Sequence, residues 1–278
     1  MSPLDRLPDE VLHYMMQFID DSKFILCSCM LVSKRWFEVA KTVGLHLSFS
    51  AVIGNERLRK ILSSPLLDSL ESLIINTEWL KVSPCMYFCD EGVEVIASCK
   101  NLTNLRKLSL GESRVSDQGV RLLCSCSHLS RLNALYLSDN YLNMESAQSL
   151  AESKAISNLT DLHLYGNFFE DEGVKLIAES ENMKNLQILD LNSNSITNEG
   201  VKYLANSRFM SRLTDLDLGF NYFDDIGASY IAKSVHLHAL KKLDLSQTKI
   251  TEKGIQEIEN GLKMRRERKG RRIILTKK

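Results

Sequence analysis

The sequence lacks any run of roughly 18 apolar residues, the length a membrane-spanning helix requires. It also lacks a charged-then-apolar leader at its start. The expectation is therefore a chain without a membrane, working in the cytoplasm, with the nucleus as a second address. A dense cysteine framework is missing as well, because seven cysteines in 278 residues are an odd count at sparse spacing. Cys27/Cys29 and Cys124/Cys126 have one residue between partners, where zinc ligands typically have about two to four. They read as small reduced thiols, and neither a metal nor any other cofactor is expected. No sign of charge dominates, with 35 basic and 35 acidic residues. That balance hides an asymmetry: the C-terminal run KMRRERKGRRIILTKK holds nine Lys or Arg and one Glu, leaving 26 basic against 34 acidic residues in 1–262. Ile273 and Leu275 read as a final strand behind Arg271 and Arg272, which makes the run a charged end cap. Nuclear import or nucleic-acid contact is the alternative reading. The second of these is disfavoured because no aromatic side chain interleaves the run.

What the sequence does have is a period. Leu105, Leu132, Leu159, Leu186, Leu213 and Leu240 recur at one constant interval, the same 27 that separates Asn140 from Asn167. Gly92, Gly119, Ser146, Gly173, Gly200, Gly227 and Gly254 hold that spacing too. A fixed period of such length marks a solenoid. Within a unit, LTDLHLYGNFF places Leu162 and Leu164 at alternating strand positions. DEGVKLIAES then puts Val174, Ile177 and Ala178 on one helical face, behind acidic Asp171 and Glu172 that suit a helix N-terminus. Each unit is strand, turn, helix. Asn140, Asn167, Asn194 and Asn221 recur where the chain turns inward, and a buried amide there can satisfy backbone groups and link units. Ser113 and Thr248 take that place at the ends. Because a helix is wider than the strand spacing of about 4.8 Å, stacked units bend with strands inside and helices outside.

The units LxxLxLxxNxITxEGVxxLA resemble leucine-rich repeats of the ribonuclease-inhibitor and cysteine-containing types, over roughly residues 68–262. The resemblance implies an α/β solenoid of about seven full repeats of that constant length, assigned to residues 43–278 with the basic end cap. The first full repeat departs from it: the step from Leu70 to Gly92 exceeds the step from Leu105 to Gly119 by an insertion of eight. Trp79, Tyr87 and Phe88 in that insertion read either as a binding finger or as residues folding back as an end cap.

Residues 1–42 break the period. Their LDRLPDEVLHYMMQFIDDSKFILCSCMLVSKRWFEVAK carries three short helical patterns, the first opening at Pro8, Asp9 and Glu10 and burying Val11, Leu12, Met15, Phe18 and Ile19. One reading is a cap for the repeats. LPDEVL followed by LVSKRW also resembles the F-box, which docks substrate receptors onto the Skp-type linker of cullin-RING ubiquitin ligases. By that resemblance Leu7, Pro8, Leu12, Val32 and Trp36 meet the linker, Trp36 offering a large rigid contact. The segment DDSKFILCSC departs from the motif in having no proline at the helix break.

Strand alternation points Lys107, Ala134, Asp161, Ile188, Asp215 and Lys242 into the concavity, with Ser109, Tyr136, His163, Asp190, Asp217 and Asp244 beside them. The expectation is a target-binding face of Asp161, His163, Asp190, Asp215, Asp217 and Asp244, with Tyr136, Tyr165 and Phe220 as apolar anchors. Unpaired like charges on neighbouring strands are unfavourable, so a basic target segment would relieve them. Repeat consensus is the competing explanation of the aspartates. His163 beside Asp161 and Asp190 lacks a nucleophile or a metal-ligand set, so no enzyme is expected. The combined expectation is a non-catalytic substrate receptor of an SCF-type ubiquitin ligase, partnered by a Skp-type linker, a cullin-RING ligase and a protein target. The alternatives are a scaffold or inhibitor with a helical cap, and a microbial effector mimicking an F-box protein.

Overall fold

The computed structural model describes residues 45–49, 55–62, 68–75, 88–266 and 274–277. Nine parallel strands form one sheet in strict chain order: β1 (Leu45–Phe49), β2 (Leu70–Ile75), β3 (Lys107–Ser109), β4 (Ala134–Tyr136), β5 (Asp161–His163), β6 (Ile188–Asp190), β7 (Asp215–Asp217), β8 (Lys242–Asp244) and β9 (Ile274–Thr276). Between them run α1 (Asn55–Leu62), α2 (Cys89–Ser98), α3 (Asp117–Cys124), α4 (Met144–Glu152), α5 (Glu170–Glu179), α6 (Asn198–Asn206), α7 (Asp225–Lys233) and α8 (Glu252–Arg266). Each helix from α2 to α8 packs on its neighbours in the stack. The chain is thus an α/β solenoid in which each unit contacts the next.

The sheet begins upstream of the leucine-rich-repeat resemblance, at β1, and ends at β9 beside β8. Apart from a one-residue shift between Leu45 and His46 where β1 meets β2, register is kept: Leu108, Leu135, Leu162, Leu189, Leu216, Leu243 and Leu275 face one another in turn. From Leu108 to Leu243 all are buried. Period-2 alternation forces this, since a one-residue slip would turn every leucine out of the core. Phe88, from the insertion, is fully buried and closes on α2. It folds back into the core, while Trp79 and Tyr87 lie outside the described residues.

Three hydrogen-bonded ladders join the units. In the innermost, the Asn140 amide donates to the carbonyls of Leu110 (2.7 Å) and Leu137 (3.0 Å) and accepts from the N–H groups of Ser113 (3.1 Å) and Val115 (3.0 Å). Asn167, Asn194 and Asn221 repeat the pattern one unit later each time. All four are buried. At the helix C-terminal ends, Ser153 donates to the Cys124 carbonyl at 2.6 Å and Ser180 to that of Ala151 at 2.5 Å. Ser207 and Ser234 likewise donate to Ala178 and Ala205. Cys99 and Cys126 occupy the same register as buried free thiols. Burial also pushes the neighbouring Cys124 thiol up to about 12.

The third ladder joins helix N-termini and extends the expectation for Asp171. Its carboxylate does more than complement its own helix: Oδ1 accepts from the N–H groups of Thr197 (2.8 Å) and Gly200 (2.9 Å) of the next unit, and Oδ2 from the Thr197 hydroxyl. Asp90, Asp117, Asn198 and Asp225 make the equivalent contact. This latch explains the glycine register. A Cβ on Gly200 would stand 2.5 Å from Asp171 Oδ1, so glycine lets the carboxylate close directly on the helix start, while at Ser146 the hydroxyl itself donates to Asp117 Oδ1 at 2.5 Å. Met144 occupies the same register and has no group that can accept these bonds. In the next unit α5 starts without a side-chain cap, and Glu170 is held at φ 52.

Among the described residues no helix is long and apolar enough to cross a membrane, and no group of three His, Cys, Asp or Glu is arranged to hold a metal ion.

Candidate protein-binding face

Strands β3 to β8 bring the sequence-identified concave residues together, and their side chains form two connected sets. In the first, Tyr136 of β4 and His163 of β5 stack with centroids 4.2 Å apart and planes 5° from parallel. Lys107 of β3 lies 4.6 Å over the Tyr136 ring, and His163 Nδ1 reaches Asp190 Oδ2 of β6 at 3.5 Å. A cation, two rings and a carboxylate therefore run across four adjacent strands. Such a row can form because equal-length units place equivalent positions side by side at strand spacing.

The second set corrects an expectation. Asp190, Asp217 and Asp244 do lie on successive strands, but they are not bare charges. Asp190 Oδ1 accepts from the Asn192 N–H at 3.1 Å. Asp217 Oδ1 accepts from the Gly219 N–H at 2.9 Å and from the Asn192 amide at 3.2 Å. Asp244 Oδ1 accepts from the Ser246 N–H at 2.8 Å and its hydroxyl at 2.5 Å. Each carboxylate thus closes the turn two residues beyond it, as Asp side chains do. Asp215 is paired with Lys242 at 3.2 Å, and Asp161 accepts from the Thr160 hydroxyl at 2.5 Å. What remains uncompensated is mutual repulsion. The Asp217 carboxyl is held above its ordinary value by burial first and then by Asp190 and Asp244, against the lowering bonds from Gly219 and Asn192. His163, Ile188, Asp215, Asp217, Lys242 and Thr276 help line a shallow depression of about 250 Å³ here.

Tyr165 and Phe220 are exposed on the loops that follow β5 and β7. Tyr136, by contrast, lies within β4 itself, and Phe220 follows a strand three places along the sheet from it. Tyr141, Phe168 and Tyr222 are exposed on the same set of loops. They were not identified from the sequence, although the repeat register holds the signal: the position after the ladder asparagine reads Arg114, Tyr141, Phe168, Ser195, Tyr222, Lys249. Leu7, Pro8, Leu12, Val32 and Trp36 lie outside the described residues.

A parallel sheet with a polar concave face and helices stacked behind it, bridged by buried asparagines, is the architecture of a leucine-rich-repeat protein. The Leucine Rich repeat family model matches residues 101–124, 155–178, 182–205, 211–232 and 236–258. The F-box-like family model matches residues 4–46. The chain is an F-box and leucine-rich-repeat protein. No curated protein matches it in sequence.

Proposed function

We propose that this protein is a non-catalytic substrate receptor of an SCF-type cullin-RING ubiquitin ligase. The observation that carries the reading is the pairing of an F-box-like segment at residues 4–46 with an open repeat sheet whose concave face offers stacked rings and carboxylates. Leu7, Pro8, Leu12, Val32 and Trp36 dock on the Skp-type linker. Asp161, His163, Asp190, Asp215, Asp217 and Asp244 hold the target with Tyr136, Tyr165 and Phe220, and the carboxylates favour a target segment of basic character. The working compartment is the cytoplasm or nucleus, where such ligases act.

Titration of the full chain with a purified Skp-type linker tests the docking half. Binding in the nanomolar-to-micromolar range is expected, with marked weakening in Leu7→Ala combined with Pro8→Ala. A folded full-length chain that does not bind, or a double variant that binds as the wild type does, leaves the scaffold or inhibitor reading in its place.

A further inference from the structure

Helix ends in this solenoid are clamped from unit to unit, and among the described residues the clamp is lost between α2 and α3. Ser153, Ser180, Ser207 and Ser234 each donate to a carbonyl at the end of the preceding helix. Cys126, in the same register, turns its thiol to the Leu122 carbonyl of its own helix at 3.2 Å. Two residues further on, some units carry a second clamp: Asn182 donates to the Ala151 carbonyl of α4 at 2.9 Å, and Asn101 to the Leu62 carbonyl of α1 at 3.3 Å. His128 holds that position in the unit of α3, within the tight turn Ser127–Leu129. Both of its ring nitrogens are buried, and neither has a hydrogen-bond partner. A buried neutral imidazole ordinarily finds one partner for its N–H and another for its lone pair, so this ring is held by packing alone.

Its surroundings decide which protonation state it keeps. Lys100 follows α2 and already occupies the end of that helix, its ammonium donating to the Ala97 carbonyl at 3.4 Å. Burial first and then Lys100 hold the His128 imidazole below its ordinary 6.5, against the upward pull of the Ile96 carbonyl. The thiols of the same helix ends do not answer a positive charge. Burial raises those of Cys99 and Cys126 and pushes that of Cys124 up to about 12, so all three stay neutral.

We propose that His128 makes the seam between the units of α2 and α3 an acid-sensitive joint. With a neutral ring the two helix ends pack; a proton on the ring places a second cation beside Lys100 without a bonded partner, and the seam loosens. Strands β1 and β2 lie on one side of it and the concave row from Lys107 onward on the other. Acid therefore loosens the repeats that carry that row from the end of the sheet that follows the F-box-like segment. The joint needs neither linker nor target, so it stands or falls apart from the function proposed above.

Because the packed ring binds a proton less readily than an opened one, the seam keeps its full stability above 6.5 and loses it as pH falls from there toward the lowered folded value. Hydrogen exchange on the full chain tests this at about pH 7.5 and about pH 5.5, roughly one unit either side of the ordinary histidine value, with α6 as the internal reference. Corrected for intrinsic rates, protection at the C-terminal ends of α2 and α3 should fall relative to α6 by at least about threefold. About tenfold is the limit for one histidine at roughly one unit below its free value. His128→Asn supplies the amide of Asn101 and Asn182 and should keep that protection at the lower pH. Lys100→Gln, at an exposed position, should shrink the loss by relieving the repulsion. Wild-type helix ends as well protected at the lower pH as at the higher would overturn the proposal. So would a loss that persists undiminished in His128→Asn or in Lys100→Gln, since the titrating group would then lie elsewhere.

Discussion

At the scale of single residues, the buried asparagine carries more of the fold than its size suggests. Asn194 donates to the Leu164 and Asn192 carbonyls, both at 2.9 Å, and accepts from the Phe169 N–H at 3.3 Å. Asn194→Leu strands the Phe169 N–H in a buried turn and removes one of two donors from each carbonyl, Leu164 keeping Asn167 and Asn192 keeping the Gly166 N–H, and should destabilise by roughly 2–4 kcal/mol. Lys202→Leu, on the outer face of α6, should leave the denaturation midpoint close to that of the wild type, and paired urea curves check the contrast. Asp217 behaves differently because its folded carboxyl holds its proton above the ordinary 3.8. Between that ordinary value and the raised one the folded chain binds more protons than the unfolded chain, so stability falls as pH rises through the window. Asp217→Asn keeps an acceptor for the Gly219 N–H and removes the charge. It should gain about 0.2–1 kcal/mol at neutral pH, the size of one cross-strand pair. The gain should disappear once the pH is below the ordinary aspartate value, as thermal melts across pH would show.

At the scale of elements, helix starts are tied forward to the next unit by Asp90, Asp117, Asp171, Asn198 and Asp225, and the tie is interrupted at Met144. There Glu170 takes φ 52 and α5 begins uncapped. Restoring the pair as Met144→Asp with Glu170→Thr supplies both the acceptor and a capping hydroxyl. It should stabilise by roughly 0.5–2 kcal/mol, the range of a helix N-cap, and should raise amide protection at the start of α5 in hydrogen exchange. Unchanged protection there would mean that the seam is already as tight as its neighbours. Since a solenoid's stability is a sum of unit and interface terms, one weak seam is tolerated where a globular core would be disrupted.

At the scale of the whole molecule, charge is divided between an acidic concave face and a basic terminal run. Asp190→Asn, Asp217→Asn and Asp244→Asn together keep the turn-closing acceptors and delete three charges, so the fold should persist by circular dichroism. Association with a basic target should slow, and the wild-type rate should fall as salt rises while the variant's changes little. Target capture by the two chains, followed by association rates for what is captured, makes the comparison. Equal rates would reduce the aspartates to repeat consensus.

The repeat period, the inward leucines and the asparagine register were legible in the sequence because each is a local pattern whose chemistry has one solution: alternation buries leucine, and an amide satisfies a dry turn. LPDEVL and LVSKRW were legible in the same way, as a pattern in chain order. Beyond the asparagine ladder, the side-chain contacts between successive units were decided only by the tertiary structure. The Asp171–Thr197 latch, the stack of Tyr136 on His163, and the local bonds of Asp190, Asp217 and Asp244 depend on how one unit is set against the next, and a run of aspartates reads the same whether its charges are bare or closed onto turns. The exposed pair of Tyr141 and Phe168 was hidden for a related reason. Their register position is filled by unlike residues in different units, so no repeat rule singles it out until stacking places two rings side by side in solvent.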